Sequence, residues 1–355
     1  MSISTLPYKS GNQLSSQSLL IWRLAQSAVW VVGAAILFAL FFLPSAGLLL
    51  FWNILIPVAP ALFVVAVGVW RNVCPLATTN LLPRHLGLSK RKKLTTKQLG
   101  YLNLAGVILL YTIVPLRHAV FNKNGLATGL LIVGMVITGM TLGYFYEWKS
   151  AWCSGLCPVH PVEKLYGGNI LLSLPNAHCS ECQNCVIPCP DSTPNISPAS
   201  SKKTFAQQLS GLLIIGGLPG FIWGWFHVPD ETTSSFNGLI GAYEMPLLGF
   251  AVTFILYAVF SSLMDAKYER KLISIFAAAG VSCYYWFRIP ALFGFGSFAD
   301  DGLLINLNTV LPAWSMTAIT ICTSLFFFYW LVIRKQNNQS WVIRPAFASK
   351  QKLSA

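Results

Sequence analysis

Eight stretches of this chain are apolar for long enough to cross a bilayer, and no other feature constrains its folding as much. A spanning helix needs about 20 predominantly apolar residues, because the hydrocarbon core holds no water to satisfy an open backbone. Such runs lie at Leu19–Leu43, Gly47–Trp70, Leu99–Leu116, Leu126–Tyr146, Gln207–His227, Met245–Met264, Leu272–Phe293 and Val310–Ile333. Charged residues make up only 10% of the 355 residues, against roughly 25% in soluble domains. A soluble protein so short of charge could not cover its surface. The expected fold class is therefore all-α: an integral membrane protein with about eight transmembrane helices. Pro57, Pro60, Pro219 and Pro246 fall within these runs or at their edges. In a membrane bundle the backbone groups they free can be satisfied by neighbouring helices.

Basic residues set the expected orientation. If the N-terminus is cytoplasmic, every one of the 24 Lys and Arg except Arg117, Lys123 and Arg288 belongs to a cytoplasmic segment or helix end. The densest stretch is SKRKKLTTK, between the second and third runs. The opposite loops PDETTSSFNG and GFGSFADDG carry acidic residues and no basic ones, the asymmetry of the positive-inside rule. Topology and contact with anionic membrane lipid account for the net charge of +13, so no nucleic-acid partner is expected. The resulting organisation is a cytoplasmic tail over 1–18 and four spans over 19–147 with a basic cytoplasmic loop at 71–98. A cytoplasmic cysteine-rich segment follows at 148–206, then four spans over 207–333 and a cytoplasmic tail over 334–355. The first apolar run is too long for a signal-peptide core and reads as a retained helix. The expected location is a bacterial inner or photosynthetic membrane, multi-pass, with both termini cytoplasmic.

Chemistry concentrates in 148–206, which holds six of the nine cysteines. HCSECQNCVIPCP contains C-x2-C-x2-C-x3-C-P on Cys179, Cys182, Cys185 and Cys189. Upstream, WCSGLCPVHP supplies Cys153 and Cys157 at C-x3-C-P spacing, the back half of a second such run. Cys74 lies in RNVCPLA on the same side, while Cys283 and Cys322 sit within apolar runs and read as packed small hydrophobes. Cysteines on the reducing side of a membrane argue against structural disulfides. Zinc competes for C-x2-C pairs, but its sites usually place a longer loop between two pairs. Tight spacing with a terminal Pro favours iron–sulfur.

In two-cluster ferredoxins the fourth cysteine of a run ligates the other cluster. By that rule Cys157 joins Cys179, Cys182 and Cys185 around one [4Fe–4S] cluster. Cys189, Cys153 and Cys74 are left as a candidate second site. The alternative is that Cys189 folds back onto the first cluster in place of Cys157. A fully thiolate-bound second cluster would lack one cysteine, so it would need His160 or His178 as a ligand, an open iron or a three-iron core.

This combination of motifs and flanking helices resembles the polyferredoxin-type membrane proteins, among them the membrane ferredoxins of nitrate and nitrous-oxide respiration. The longer signature WCSGLCPVHPVEKLYG followed by NAHCSECQNC is closer to a branch of membrane [4Fe–4S] proteins associated with cyclic electron flow. PLRHAVFNKNGLATGL also fits that branch. The resemblance covers mainly residues 71–190, and the last four helices carry none of its motifs. The respiratory relatives carry two full ferredoxin runs where this chain has one and a half. The resemblance implies electron transfer at the membrane without naming donor or acceptor.

The other polar residues are read as structural. His118 and His227, at the outer ends of spans, are expected at the interface and not on a haem, since no helix offers a matched pair. His85, in a basic loop, is expected to be solvated. His160 and His178 flank the cysteine motifs and could tune a cluster by hydrogen bonding. Arg288, among aromatics in SCYYWFRIPALF, is expected to snorkel to the outer interface. The competing reading makes it a donor to a quinone carbonyl. Trp70, Trp148 and Trp330 read as interfacial anchors. No nucleotide-binding fingerprint or hydrolytic arrangement is present, so no catalytic residue is assigned.

The function expected from the sequence is one-electron transfer by a membrane carrier or oxidoreductase subunit. A cytoplasmic reductant such as a soluble ferredoxin would supply a membrane acceptor, either quinone or a redox enzyme. A second class is a redox-active assembly or maturation factor for a respiratory or photosynthetic complex, whose loss would remove the complex itself. A third, a transporter whose cysteines sense redox state, is disfavoured by the scarcity of charge deep in the spans.

Overall fold

The computed structural model describes residues 10–11, 15–146, 149–171, 174–175, 177–178, 204–230, 236–298, 301–335 and 341–345. Among these, eight helices are long and apolar enough to cross a membrane: Ser16–Phe42, Pro44–Asn80, Thr96–Phe121, Gly125–Phe145, Phe205–Trp225, Asn237–Leu263, Ala266–Leu292 and Ala313–Ile333. They are called here the first to eighth spans. Among the described residues the architecture is helical apart from three strands of two to four residues, and the chain is a multi-pass membrane protein. Large apolar side chains such as Ile21, Val31, Ile137, Ile255 and Leu325 remain exposed along the spans. That surface suits lipid.

The first, third and fourth helices begin at side-chain caps: Ser15, Thr95 and Asn124 each accept from a backbone N–H three residues on. Thr95 and Gln98 complete a capping box, as do Thr204 and Gln207 ahead of the fifth span, satisfying N–H groups that the first turn leaves without helical partners. The sixth span begins eight residues before the apolar run at Met245. Gly238–Glu244 continue the helix although their composition is mixed.

The second span departs furthest from the sequence expectation. It starts at Pro44, widens to π-helical turns over Leu49–Leu55 and continues as Ile56–Val73. Pro57 and Pro60 follow the wide turns. One turn is opened: the Ala61 N–H donates to the Tyr285 hydroxyl (3.0 Å), which donates in turn to the Pro57 carbonyl (2.5 Å). A side chain from the seventh span thus stands in for one main-chain hydrogen bond. At Ala66 the backbone leaves helical geometry altogether (φ −149°, ψ 54°). The carbonyl of Val65 beside it accepts from the N–H of Leu171 (3.1 Å).

That last contact belongs to the segment 149–171. The sequence suggests a polar insert here, whereas its described part packs into the helix bundle. Leu165, Tyr166 and Ile170 share one buried cluster with Phe63, Val64 and Val67 of the second span and Ile215 and Val281 of the fifth and seventh. Trp341 joins the same cluster, fully buried, its indole N–H donating to the Gly167 carbonyl (2.8 Å). Strand Val342–Pro345 then runs parallel between Ser10–Gly11 and Leu174–Pro175. Both expected tails therefore contribute to a small sheet beside the approach to the cysteine run.

Candidate functional site

Two cysteine-bearing segments and the approach to a third are drawn together at the end of the bundle that carries the basic loop. Cys74 ends the helix Ile56–Val73 with extended geometry (φ −54°, ψ 120°), and Pro75 starts the short helix Pro75–Asn80 immediately after it. Proline suits that first position because the N–H it lacks would have no helical partner. The break turns Cys74 inward, where it packs with Cys153 against the buried pair Ala77 and Leu81. Cys153 lies on the wide turns Lys149–Leu156, and Cys157 closes them through an N–H to the Trp152 carbonyl five residues back (2.9 Å).

These turns are sunk into the bundle. A side-chain carbon added at Gly106 of the third span would lie 3.0 Å from the Leu156 carbonyl and 3.3 Å from that of Cys157, so a glycine there lets the two backbones touch. Gly106 lies ten residues past Thr96, or about 15 Å along the helix at 1.5 Å per residue.

A buried polar network borders the cysteines. Arg71, one turn before Cys74, is 6% exposed and ion-paired with Glu163, which is 3% exposed. Its guanidinium also reaches His160 Nδ1 (3.1 Å) and Ser154 Oγ (3.4 Å). His160 Nδ1 lies 3.3 Å from Glu163 Oε2. A neutral imidazole nitrogen can accept from Arg71 or donate to Glu163, not both. Burial on its own would raise the Glu163 carboxyl, but the Arg71 charge and the His160 contact outweigh it and hold it at about 2. Burial, with the Arg71 charge acting the same way, lowers His160 to about 4, so it is neutral at physiological pH. Burial and the nearby Glu163 charge push the Cys157 thiol above the ordinary thiol range, with Cys153 and Cys74 adding to the effect. Cys74 and Cys157 are free thiols.

The chain approaches the ferredoxin-type run from a second anchored point. Asn72, two residues before Cys74, accepts the Ala177 N–H on Oδ1 (2.9 Å), and its carbonyl lies 3.1 Å from His178 Nε2. Gln26 of the first span donates to the same carbonyl (2.9 Å). His178 is fully buried and immediately precedes Cys179. Cys179, Cys182, Cys185 and Cys189 lie outside the described residues. Among the described residues, no three His, Cys, Asp or Glu side chains are grouped closely enough to hold a metal ion. Cys74, Cys153 and Cys157 converge without forming a ligand set by themselves.

The remaining expectations divide. His227 is exposed, stacked on Trp223 and bonded to its carbonyl (2.7 Å), and His85 is exposed as expected. His118 is buried against protein groups at the end of its span. It is 5% exposed, with one ring nitrogen 2.6 Å from Asp230 and the other 2.9 Å from the Trp225 carbonyl, which leaves no nitrogen for a haem. Arg288 does not snorkel: it is 3% exposed and donates to the Trp52 carbonyl (2.7 Å) and Asn53 Oδ1 (2.8 Å). Trp330 does more than anchor, bonding to the Asn169 carbonyl (2.9 Å). Sequence reasoning missed Arg71, Glu163, Asn72 and Gln26. A signal existed for Glu163, one of only 11 acidic residues, lying six positions after Cys157. No protein-family model, curated protein or solved structure significantly matches the chain.

Proposed function

We propose that the protein is a membrane-bound electron carrier holding at least one [4Fe–4S] cluster. Electrons would pass from a cytoplasmic reductant to a membrane acceptor. The observation that carries this reading is convergence. Cys74 and Cys153 pack against the same buried pair, Cys157 lies within their electrostatic influence, and Asn72 fastens the residues that lead into Cys179. Consecutive Cα atoms are 3.8 Å apart, so the run of four cysteines starts within one residue of that anchor.

The donor set fits such a group. Reduced thiols in apolar surroundings suit iron–sulfur chemistry. A cluster bound there would supply a one-electron couple. Cys157, Cys179, Cys182 and Cys185, with Cys189 as the alternative fourth, would hold it. Cys74 and Cys153 with Cys189 remain the candidate second site. Arg71 fixes a positive charge within electrostatic reach of Cys153 and Cys157, which would favour their thiolate forms once protons are displaced. The depth of the Cys153–Cys157 turns beside Gly106 favours an acceptor within the lipid phase, such as a quinone. The basic loop suits an acidic soluble donor such as ferredoxin, with that face cytoplasmic in a bacterial inner or photosynthetic membrane.

Iron and acid-labile sulfide per chain, measured on anaerobically purified protein with EPR before and after dithionite, test this reading. The expected result is about four irons and a reduced S = 1/2 signal, or seven to eight irons if the half-run holds a second centre. A Cys182→Ser variant should lose the first signal. Zinc without sulfide would overturn the proposal.

A further inference from the structure

A cavity of about 650 Å³ opens at the other end of the bundle, between the second, third, fifth and seventh spans. Its wall contains two arginines that the electron-transfer reading does not use. Arg117 is 6% exposed and lies between the indoles of Trp52 and Trp225, 4.0 and 4.7 Å from their ring centres. Both indoles are fixed, Trp52 to the Phe121 carbonyl and Trp225 to the Val114 carbonyl. The one hydrogen bond Arg117 makes among the described residues is from Nε to Asn122 Oδ1 (3.1 Å), which leaves its terminal nitrogens uncommitted. Arg288 spends Nη2 on Trp52 and Asn53, and its buried Nε has no partner.

Among the described residues, the acids nearby are already engaged. Asp230 Oδ1 takes His118 (2.6 Å) and Asn122 (2.7 Å), and Asp301 Oδ2 takes the Asp230 N–H (2.8 Å). Neither arginine makes an ion pair among the described residues. Lys123 adds a third cation and is bonded to the Asp230 carbonyl (3.0 Å). Two buried guanidinium groups thus line the cavity with N–H groups that no described residue takes up, and a buried donor without a partner is costly. A planar guanidinium with free N–H groups matches a carboxylate or phosphate in particular. The volume falls within the range of small-molecule sites, and Phe226 and Phe287 supply apolar wall.

We propose that this cavity binds an organic anion, its carboxylate or phosphate held by Arg117 and Arg288 and its apolar body against the aromatic wall. A neutral quinone would offer the two guanidinium groups no charge to pair with. The anion can come from solution or from the headgroup of an anionic lipid, and two probes separate these sources. Full-length protein in neutral detergent is titrated with phenyl phosphate, then with short-chain phosphatidylglycerol, with sodium chloride at matched ionic strength as control. Tryptophan fluorescence reports the event because Trp52 and Trp225 flank Arg117.

A saturable change with either probe and none with chloride is expected, weakened about tenfold or more in Arg117→Gln and in Arg288→Gln. Saturation by phenyl phosphate identifies a soluble anion, and saturation by the lipid alone identifies a headgroup. If neither probe saturates on the wild-type protein, the proposal is overturned, whatever the variants do. It is also overturned if folded arginine variants bind as tightly as wild type.

Discussion

At the scale of single residues, the decisive feature is a charge pair buried where the sequence offers little charge. Arg71 and Glu163 are 92 positions apart, and each is almost wholly removed from solvent. Such a pair gives little net stability against an apolar substitute, but breaking it strands one ion. Glu163→Gln should therefore lower stability by about 3–5 kcal/mol, read as a drop in the thermal unfolding midpoint of detergent-purified protein. Combining it as Glu163→Leu with Arg71→Met should recover most of that loss. A double variant no more stable than the single one would show that the pair does not act as a unit. The cysteine spacing was legible in the sequence because covalent order sets it. The pairing of Arg71 was not: the rarity of acids and the closeness to Cys157 mark Glu163 out, but nothing local says which base it meets 92 positions away.

At the scale of elements, the second span shows how a broken helix survives in a bundle. Its prolines were visible in the sequence, and so was the general expectation that neighbours would satisfy the backbone. Which neighbour does so was not visible: Tyr285, 224 positions from Ala61, inserts its hydroxyl between Ala61 N–H and the Pro57 carbonyl. Tyr285→Phe keeps the ring stacked on Phe327 but removes the bridge. Two backbone groups would then lack partners in apolar surroundings, at about 1–3 kcal/mol each. The expected outcome is a lower unfolding midpoint and faster amide exchange at Ala61; unchanged exchange there would refute the bridge. On the opposite end, Gly302 has φ +75° and lies against the Arg288 guanidinium. Its position in an acidic loop gave no hint of a fit to an arginine in the seventh span.

At the scale of the whole molecule, the two ends of the chain meet near the approach to the cysteine run. Val342–Pro345 pairs with both Ser10–Gly11 and Leu174–Pro175, and Trp341 fills the core beside Gly167. Trp341→Ala should cost about 3–5 kcal/mol through the cavity it leaves. If the proposed cluster is present, iron per chain should fall with it, because the segment leading into Cys179 shares that sheet. Full iron occupancy in a folded Trp341→Ala protein would uncouple the tail from the site. The sequence by itself determined the class, the eight spans and the motif spacing. Burying apolar helices in lipid depends on composition and length, and motif spacing depends on covalent order, so a linear reading captures both. Only the tertiary structure decided that segment 149–171 sinks into the bundle, that Cys74 and Cys153 pack against one buried pair and that two buried arginines share a cavity. Each of these depends on contacts between distant residues, and no local pattern in the chain specifies which partner a buried charge or an opened backbone bond will find.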